Sequence, residues 1–152
     1  MYEIKLRKVI KKDKLVLYNW FNDTENIKNK LLTNSKITIE EHSLWFKNFI
    51  ENKNNVLWII HSKNYLIGQI RLDYISKQKY EIDIYLEKKY RSKNIASDAL
   101  TKAEKKLLSG SIIISKVKKT NERSLRFFIS NGYISYFQND KAWFLKKEIK
   151  NN

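Results

Sequence analysis

A mixed α/β fold in a single domain, with a largely antiparallel sheet and one parallel strand pair, is what these 152 residues predict. Three observations lead there. Apolar residues recur with period two in some segments and period 3.6 in others, in the order β-α-α-β-β-β-α-β-α-β-β. Three of the strand segments follow one another at hairpin spacing. Later a strand, a basic loop, a helix and a second strand come in succession, a crossover that makes its two strands parallel and adjacent with a right-handed connection.

"YEIKLRKV" (2–9) alternates apolar and polar residues and reads as a half-buried strand. "DKLVLYNWF" (13–21) has a helical pattern, and "DTENIKNK" (23–30) starts a second short turn. "TIEEHSLWFKNFIEN" (38–52) opens on a capping box, Thr38 with Glu41, and carries Ile39, Trp45, Phe46, Phe49 and Ile50 on one helical face. The hairpin strands are "NVLWIIHS" (55–62), "YLIGQIRLDYI" (65–75) and "YEIDIYLE" (80–87), joined by the polar turns "KN" and "SKQK". After the basic loop, Ile95, Ala99, Ala103 and Leu107 repeat at helical spacing, and "SIIISKV" (111–117) is a short apolar run that fits a buried strand. "NERSLRFFISNG" (121–132) sets Leu125, Phe128 and Ile129 on one helical face and stops at Gly132, a left-handed cap. Two strands, "YISYFQ" (133–138) and "KAWFLKKEI" (141–149), close the order around the turn "ND".

Composition narrows the chemistry. With no cysteine there is no disulfide framework, thiolate zinc site or cysteine nucleophile, and no metal is expected. The longest apolar runs, "VLWII" and "SIIIS", fall far short of the roughly 20 residues of a membrane helix, and the start is too charged for a signal peptide, so a cytoplasmic protein without a membrane partner is expected. A net charge of +15 favours an anionic partner. Lysine supplies 26 of the 31 cationic side chains, however, and asparagine and isoleucine are abundant as well, so much of the charge reads as a solvated lysine face. A nucleic-acid-binding module calls for arginine-rich patches or regularly spaced surface aromatics, and neither is evident.

The loop "YRSKNIAS" (90–97) runs from a strand into a helix start, where backbone N–H groups lack partners beside the positive end of the helix dipole. Such a place binds phosphate. Arg91 and Lys93 add charge, and Ser92, Asn94 and Ala96 are small enough for an anion to approach the main chain.

The order of elements and this loop resemble the GNAT superfamily of acetyl-CoA-dependent N-acetyltransferases, whose pyrophosphate loop reads Q/R-x-x-G-x-G/A. Arg91-Ser92-Lys93-Asn94-Ile95-Ala96 matches it at the arginine and the final small residue, with Asn94 in place of glycine. Asparagine tolerates positive φ better than other non-glycine residues, so the turn survives. "NERSLRFFISNGY" (121–133) is similar to the family's N-x-x-[SA]-x-x-x-[YF]-x-x-x-G-[FY], with Asn121, Ser124, Phe128, Gly132 and Tyr133 in register. The resemblance implies a GNAT fold over the whole chain, acetyl-CoA as cofactor, its pyrophosphate on residues 91–97, and a main-chain N–H near Leu86 for the acetyl carbonyl. It also implies that Phe128 stands where many members carry a tyrosine that protonates the departing thiolate. Phenylalanine cannot do this, which leaves Tyr85, Tyr90, Tyr133 or water.

Acetyl transfer needs a neutral amine, an oxyanion donor and a proton for the thiolate. On "YEIDIYLE", Glu81, Asp83 and Tyr85 share one face, where a carboxylate could serve as base; Glu81 is the first choice and Asp83 the second. His42 is a further candidate base, on the apolar side of its helix, and His61 reads as structural. "LYNWFNDTENIKN" (17–29), "ITIEEHSLWF" (37–46) and "GQIRLD" (68–73) resemble bacterial GNAT proteins that acetylate amino-sugar nucleotides, including the altrosamine N-acetyltransferases of pseudaminic acid synthesis. That resemblance implies an acceptor site at Trp20, Asn22, His42 and Arg71 and a UDP-amino-sugar as the amine substrate, in a monomer or homodimer. A peptide N-terminal acetyltransferase of the same fold, a basic nucleic-acid-binding module and a GNAT-fold protein without catalysis remain as alternatives.

Overall fold

The computed structural model of the protein describes residues 2–31 and 35–151. Seven strands form one sheet: β1 (Lys5–Lys8), β2 (Val56–Ser62), β3 (Tyr65–Ser76), β4 (Lys79–Leu86), β5 (Ile112–Lys118), β6 (Ile134–Gln138) and β7 (Ala142–Glu148). Five α-helices connect them: α1 (Lys14–Phe21), α2 (Thr24–Lys28), α3 (Ile39–Glu51), α4 (Ile95–Lys105) and α5 (Glu122–Ser130). The spatial order is β1-β2-β3-β4-β5-β7-β6, with every neighbouring pair antiparallel except β4 and β5. The expected order of strands is observed, and the helices follow it with one addition: residues 24–28, read as a short turn, form the helix α2, so three helices and not two separate β1 from β2.

Most of the sheet is covered on both faces, which explains why "VLWII" is a continuous apolar run rather than an alternating one. Its alternation divides the run. Trp58 and Ile60 pack into a core with Ile95, Ala99 and Leu100 of α4 and Phe128 of α5. Leu57 and Ile59 pack on the other face with Leu17 and Trp20 of α1 and Phe46 and Phe49 of α3. Thr38 caps α3 through the box read from sequence, accepting from the Glu41 N–H at 3.1 Å. Ile129 departs from expectation, since α5 buries Phe128 and leaves Ile129 half in solvent.

Two features position the site. First, β4 and β5 pair only from Lys79↔Ile112 to Glu81↔Ile114 and then diverge. The alternation that sends the Gln78 carbonyl to Ile112 N–H, and Glu87 N–H to Ile67 on β3, turns the N–H groups of Ile84 and Leu86 toward the resulting gap. Second, Gly68 on β3 lies opposite Leu86, beside a register shift between β2 and β3. A Cβ there would come within 1.9 Å of the Tyr85 carbonyl oxygen, so only glycine lets the strands approach.

Asp13 ties the entry of α1 to β1. Its buried carboxylate accepts from Arg7 Nη1 and Nη2 at 2.8 and 2.9 Å and from the Ile10 N–H at 2.7 Å. Burial pushes the carboxyl up, but Arg7 and the Ile10 N–H outweigh it and hold Asp13 below its ordinary value. The resulting stability is complete above about pH 4 and fades as pH falls toward the folded-state value. Asp13→Asn is therefore expected to cost about 2 kcal/mol at neutral pH, part of the interaction being screened at the exposed side of Arg7. The difference from wild type should narrow in urea unfolding at about pH 3.

Candidate active site

The gap between β4 and β5 opens into a cleft of about 880 Å³ that runs from α2 across β3, β4 and β5 to the starts of α4 and α5. Three of the five arginines line it: Arg71, Arg91 and Arg123.

At one end lies the basic loop. Asn94 adopts φ 60°, as read from the sequence, and Ser92 does so as well at 61°. Two left-handed residues in four fold the chain back so that α4 begins without a side-chain cap. The first helical bond is Asp98 N–H to the Asn94 carbonyl, and the N–H groups of Ile95, Ala96 and Ser97 have no acceptor among the described residues. Ser92, Asn94, Ile95, Ala96 and Ser97 all line the cleft. The arrangement is a cradle of unpartnered amides at a helix N-terminus, with the chemistry of a phosphate site. Asn121 and Ser124 stand across from it; the Asn121 side chain caps α5 by accepting from the Ser124 N–H at 3.1 Å.

The two basic side chains of the loop are placed differently from expectation. Arg91 donates from Nε to the Leu86 carbonyl at 2.8 Å, from Nη1 to Glu25 at 2.5 Å and from Nη2 to Asp23 at 3.3 Å, over the Tyr85 ring. It fastens the loop to α2, and its charge is already matched by two carboxylates. Lys93 lies beside the Tyr2 ring and does not line the cleft. The cation at the cradle is Arg123, which sequence reasoning passed over; its Nη2 donates to Ser92 Oγ at 2.7 Å. Its signal was available, two positions into the motif that begins at Asn121.

The other end carries carboxylates. Glu81 is half-buried on the cleft wall and pairs with Lys116 at 2.9 Å. Asp83 bonds Lys30 and accepts from Gln69 Nε2 at 2.9 Å. Burial pushes Asp83 up, yet the charges of Lys30 and Arg71 with those hydrogen bonds hold it well below the ordinary carboxylate range. Arg71 also lines the cleft, its guanidinium over the rings of Phe21 and Trp45 at 5.6 and 5.3 Å. Lys30, Gln69, Asp73 and Lys116 were not read from the sequence. Gln69 and Asp73 alternate with Arg71 along one strand and could have been found from that, whereas Lys30 follows a short helix without any pattern.

Three expected acceptor residues lie elsewhere. Trp20 is buried, donates from Nε1 to Glu87 at 2.9 Å and packs against Tyr85, closing the core behind β4. Asn22 exchanges two hydrogen bonds with the Ile37 main chain at 3.0 and 2.9 Å, tying α1 to the approach of α3. His42 is fully buried among Tyr18, Phe21, Trp45 and Phe46, with Nε2 2.9 Å from the Lys14 carbonyl. Desolvation lowers its pKa, and no face of the ring reaches the cleft, so it is a core histidine and not a base for chemistry there.

Of the tyrosines considered as acids, Tyr90 and Tyr133 do not line the cleft. Tyr133 donates to Glu104 at 2.9 Å, and burial with that carboxylate raises its pKa. Tyr85 does line the cleft, but its hydroxyl donates to Asp23 at 3.0 Å, and burial together with Asp23 pushes its pKa up. Phe128 lines the cleft between Phe127 and Tyr133, in edge-to-face contact with both. Among the described residues no cluster of three or more His, Asp or Glu side chains is gathered for a metal, and no helix is long and apolar enough to cross a membrane.

Comparison with known proteins matches residues 3–134 to the acetyltransferase (GNAT) domain family. Solved structures share the fold over nearly the full length of both chains. A domain from Methanocaldococcus jannaschii is 20% identical with a TM-score of 0.83, over 97% of this chain and 99% of that one. The spermidine N-acetyltransferase of Vibrio cholerae, solved with CoA and spermine, is 14% identical with a TM-score of 0.82, over 97% and 96%. An N-acetyltransferase from Staphylococcus aureus is 18% identical with a TM-score of 0.79, over 97% and 99%. No curated protein sequence matches the chain.

Proposed function

Because the chain belongs to the GNAT acetyltransferase family, and is thereby an acetyl-CoA-dependent N-acetyltransferase, we propose that its acceptor is a primary amine on a small molecule that also carries phosphate, of which a nucleotide-linked amino sugar is the best fit. One observation carries this reading. Six cationic and four anionic side chains line the cleft among the described residues. At the acceptor end each carboxylate has a cation beside it: Asp83 with Lys30, Glu81 with Lys116, Asp73 with Arg71. A polyamine would meet a wall whose negative charge is already matched, while the surplus of cations in the cleft as a whole, from Arg91, Lys118 and Arg123 against Glu25, draws molecules that carry phosphate. Spermidine is thus disfavoured as acceptor even though a structural neighbour acetylates it. Arg71 is the residue of the sugar-nucleotide resemblance that supports the proposal; Trp20, Asn22 and His42 now support the scaffold instead.

In this reading the amides of Ile95, Ala96 and Ser97, with Arg123 beside them, hold the coenzyme's pyrophosphate. The Leu86 N–H meets the thioester carbonyl oxygen and stabilises the oxyanion that develops there. The amine attacks directly, after a carboxylate on the face of β3 and β4 has taken its proton. Solvent protonates the thiolate, since the Tyr85 hydroxyl is committed to Asp23 and Phe128 has no proton to give. The reaction is assigned to the cytoplasm.

Free thiol released from acetyl-CoA, measured with UDP-glucosamine, spermidine and an N-terminal peptide, tests the acceptor. Turnover is expected to be fastest with UDP-glucosamine, and faster turnover of spermidine or peptide would sink the assignment. Phe128→Tyr is expected to retain or raise turnover, because it restores a phenol on the cleft wall. A drop beyond about tenfold would show that this position serves aromatic packing alone.

A further inference from the structure

On the cleft side of β3 and β4, Asp73 stands directly opposite Glu81, and Arg71 directly opposite Asp83. The three carboxylates differ in company. Asp83 is held by Lys30 and Gln69. Glu81 is held by Lys116 at 2.9 Å. Asp73 has Arg71 Nε at 3.1 Å, but that buried N–H makes no aligned hydrogen bond, and the guanidinium is drawn over Phe21 and Trp45. Among the described residues the Asp73 carboxylate has no well-directed donor at all.

Resting on the acetyltransferase reading above, we propose that Asp73 is the catalytic base that takes the ammonium proton, with Glu81 across from it paired to Lys116 and steadying the amine. A base must line the cleft, keep an oxygen free and hold a proton better than a surface carboxylate does. Asp73 meets the first two by geometry. For the third, burial raises its pKa; Arg71 opposes this, and the charges of Asp83 and Glu81 add to it. The neighbours that set the balance are Arg71 on its own strand, Glu81 and Asp83 on β4, Lys116 reaching Glu81 from β5, and Lys30 reaching Asp83 from beyond α2. The proton accounting closes. One ammonium proton passes to Asp73, and the freed lone pair forms the N–C bond while the C–S bond breaks onto sulfur. A second proton leaves nitrogen as the amide forms and ends on the thiolate through solvent, and Asp73 returns its own to water.

The test compares wild type, Asp73→Asn and Glu81→Gln in kcat/KM with acetyl-CoA and UDP-glucosamine, or whichever panel amine turns over, from about pH 6 to about pH 10. Asp73→Asn is expected to lose about 10²–10³-fold near neutrality, with the deficit shrinking as pH rises and free amine forms unaided. Its acetyl-CoA thermal shift should match wild type, which separates lost chemistry from lost folding. Glu81→Gln should lose less, in parallel across the range. A wild-type profile in Asp73→Asn, a deficit constant with pH, or a shrinking deficit in Glu81→Gln alone overturns Asp73 as base. No turnover by wild type with any panel amine, while acetyl-CoA still raises its Tm, overturns the acceptor assignment on which Asp73 as base rests.

Discussion

Gly68→Ala is expected to destabilise the protein by about 3 kcal/mol or more and to abolish turnover. The added methyl would sit 1.9 Å from the Tyr85 carbonyl oxygen and 2.9 Å from Leu86 Cα. Both are main-chain atoms in the middle of a sheet, so neither can swing aside as the end of a flexible side chain would. Relief requires β3 and β4 to part, and they would part where the Leu86 N–H is aimed into the cleft. Stability and oxyanion donor are therefore lost together. For a chain of this size the loss corresponds to a fall in Tm of roughly 6–12 °C. An alanine variant melting within about 2 °C of wild type would show that the strands separate without strain.

The second large effect is expected from Ala96→Glu, and its two consequences have opposite signs. Ala96 is in the first turn of α4, where a carboxylate meets unpaired N–H groups and the positive dipole end, which should stabilise the helix by about 0.3–1 kcal/mol. The same carboxylate occupies the cradle and repels a pyrophosphate. Wild type is expected to gain about 2.7 kcal/mol from acetyl-CoA at a hundred times its Kd, and the variant close to none. Calorimetry would show a free-protein Tm equal to or above wild type and a missing ligand shift. A ligand shift of wild-type size would move the pyrophosphate away from α4.

The order of the strands and of the longer helices was legible because it rests on periodicity and on punctuation by Gly132 and the polar turns, whereas α2, five residues with none buried, has no apolar face to announce it. The phosphate cradle was legible because its donors are main-chain atoms, set by where a strand stops and a helix starts. Left-handed Asn94 followed from its residue type. What escaped was the fate of side chains whose partners lie far along the chain. Arg91 looked like a phosphate ligand until Asp23 and Glu25, more than sixty positions earlier, claimed it. His42, Trp20 and Asn22 have polar atoms that suit either an acceptor pocket or a buried bond. The Lys14 carbonyl, Glu87 and the Ile37 main chain decide between them, and no local pattern announces those contacts. Asp73 was missed for a simpler reason. Its pairing with Glu81 needs the hairpin register, and the register slips once near the turn, between Tyr74 and Ser76.

The short parallel pairing of β4 with β5 has a dynamic counterpart. Ile84 and Leu86 belong to a central strand by position, yet their N–H groups face a gap rather than a neighbouring strand. In deuterated solvent they should exchange as the amides of an edge strand do, while the N–H groups of Asp83 and Tyr85, turned to β3, stay protected at the level of the core. The two sides of one strand thus report on different events: one side on global unfolding, the other on whatever fills the cleft. Peptide-resolved exchange across residues 80–87 would then follow cofactor occupancy directly, without any labelled ligand.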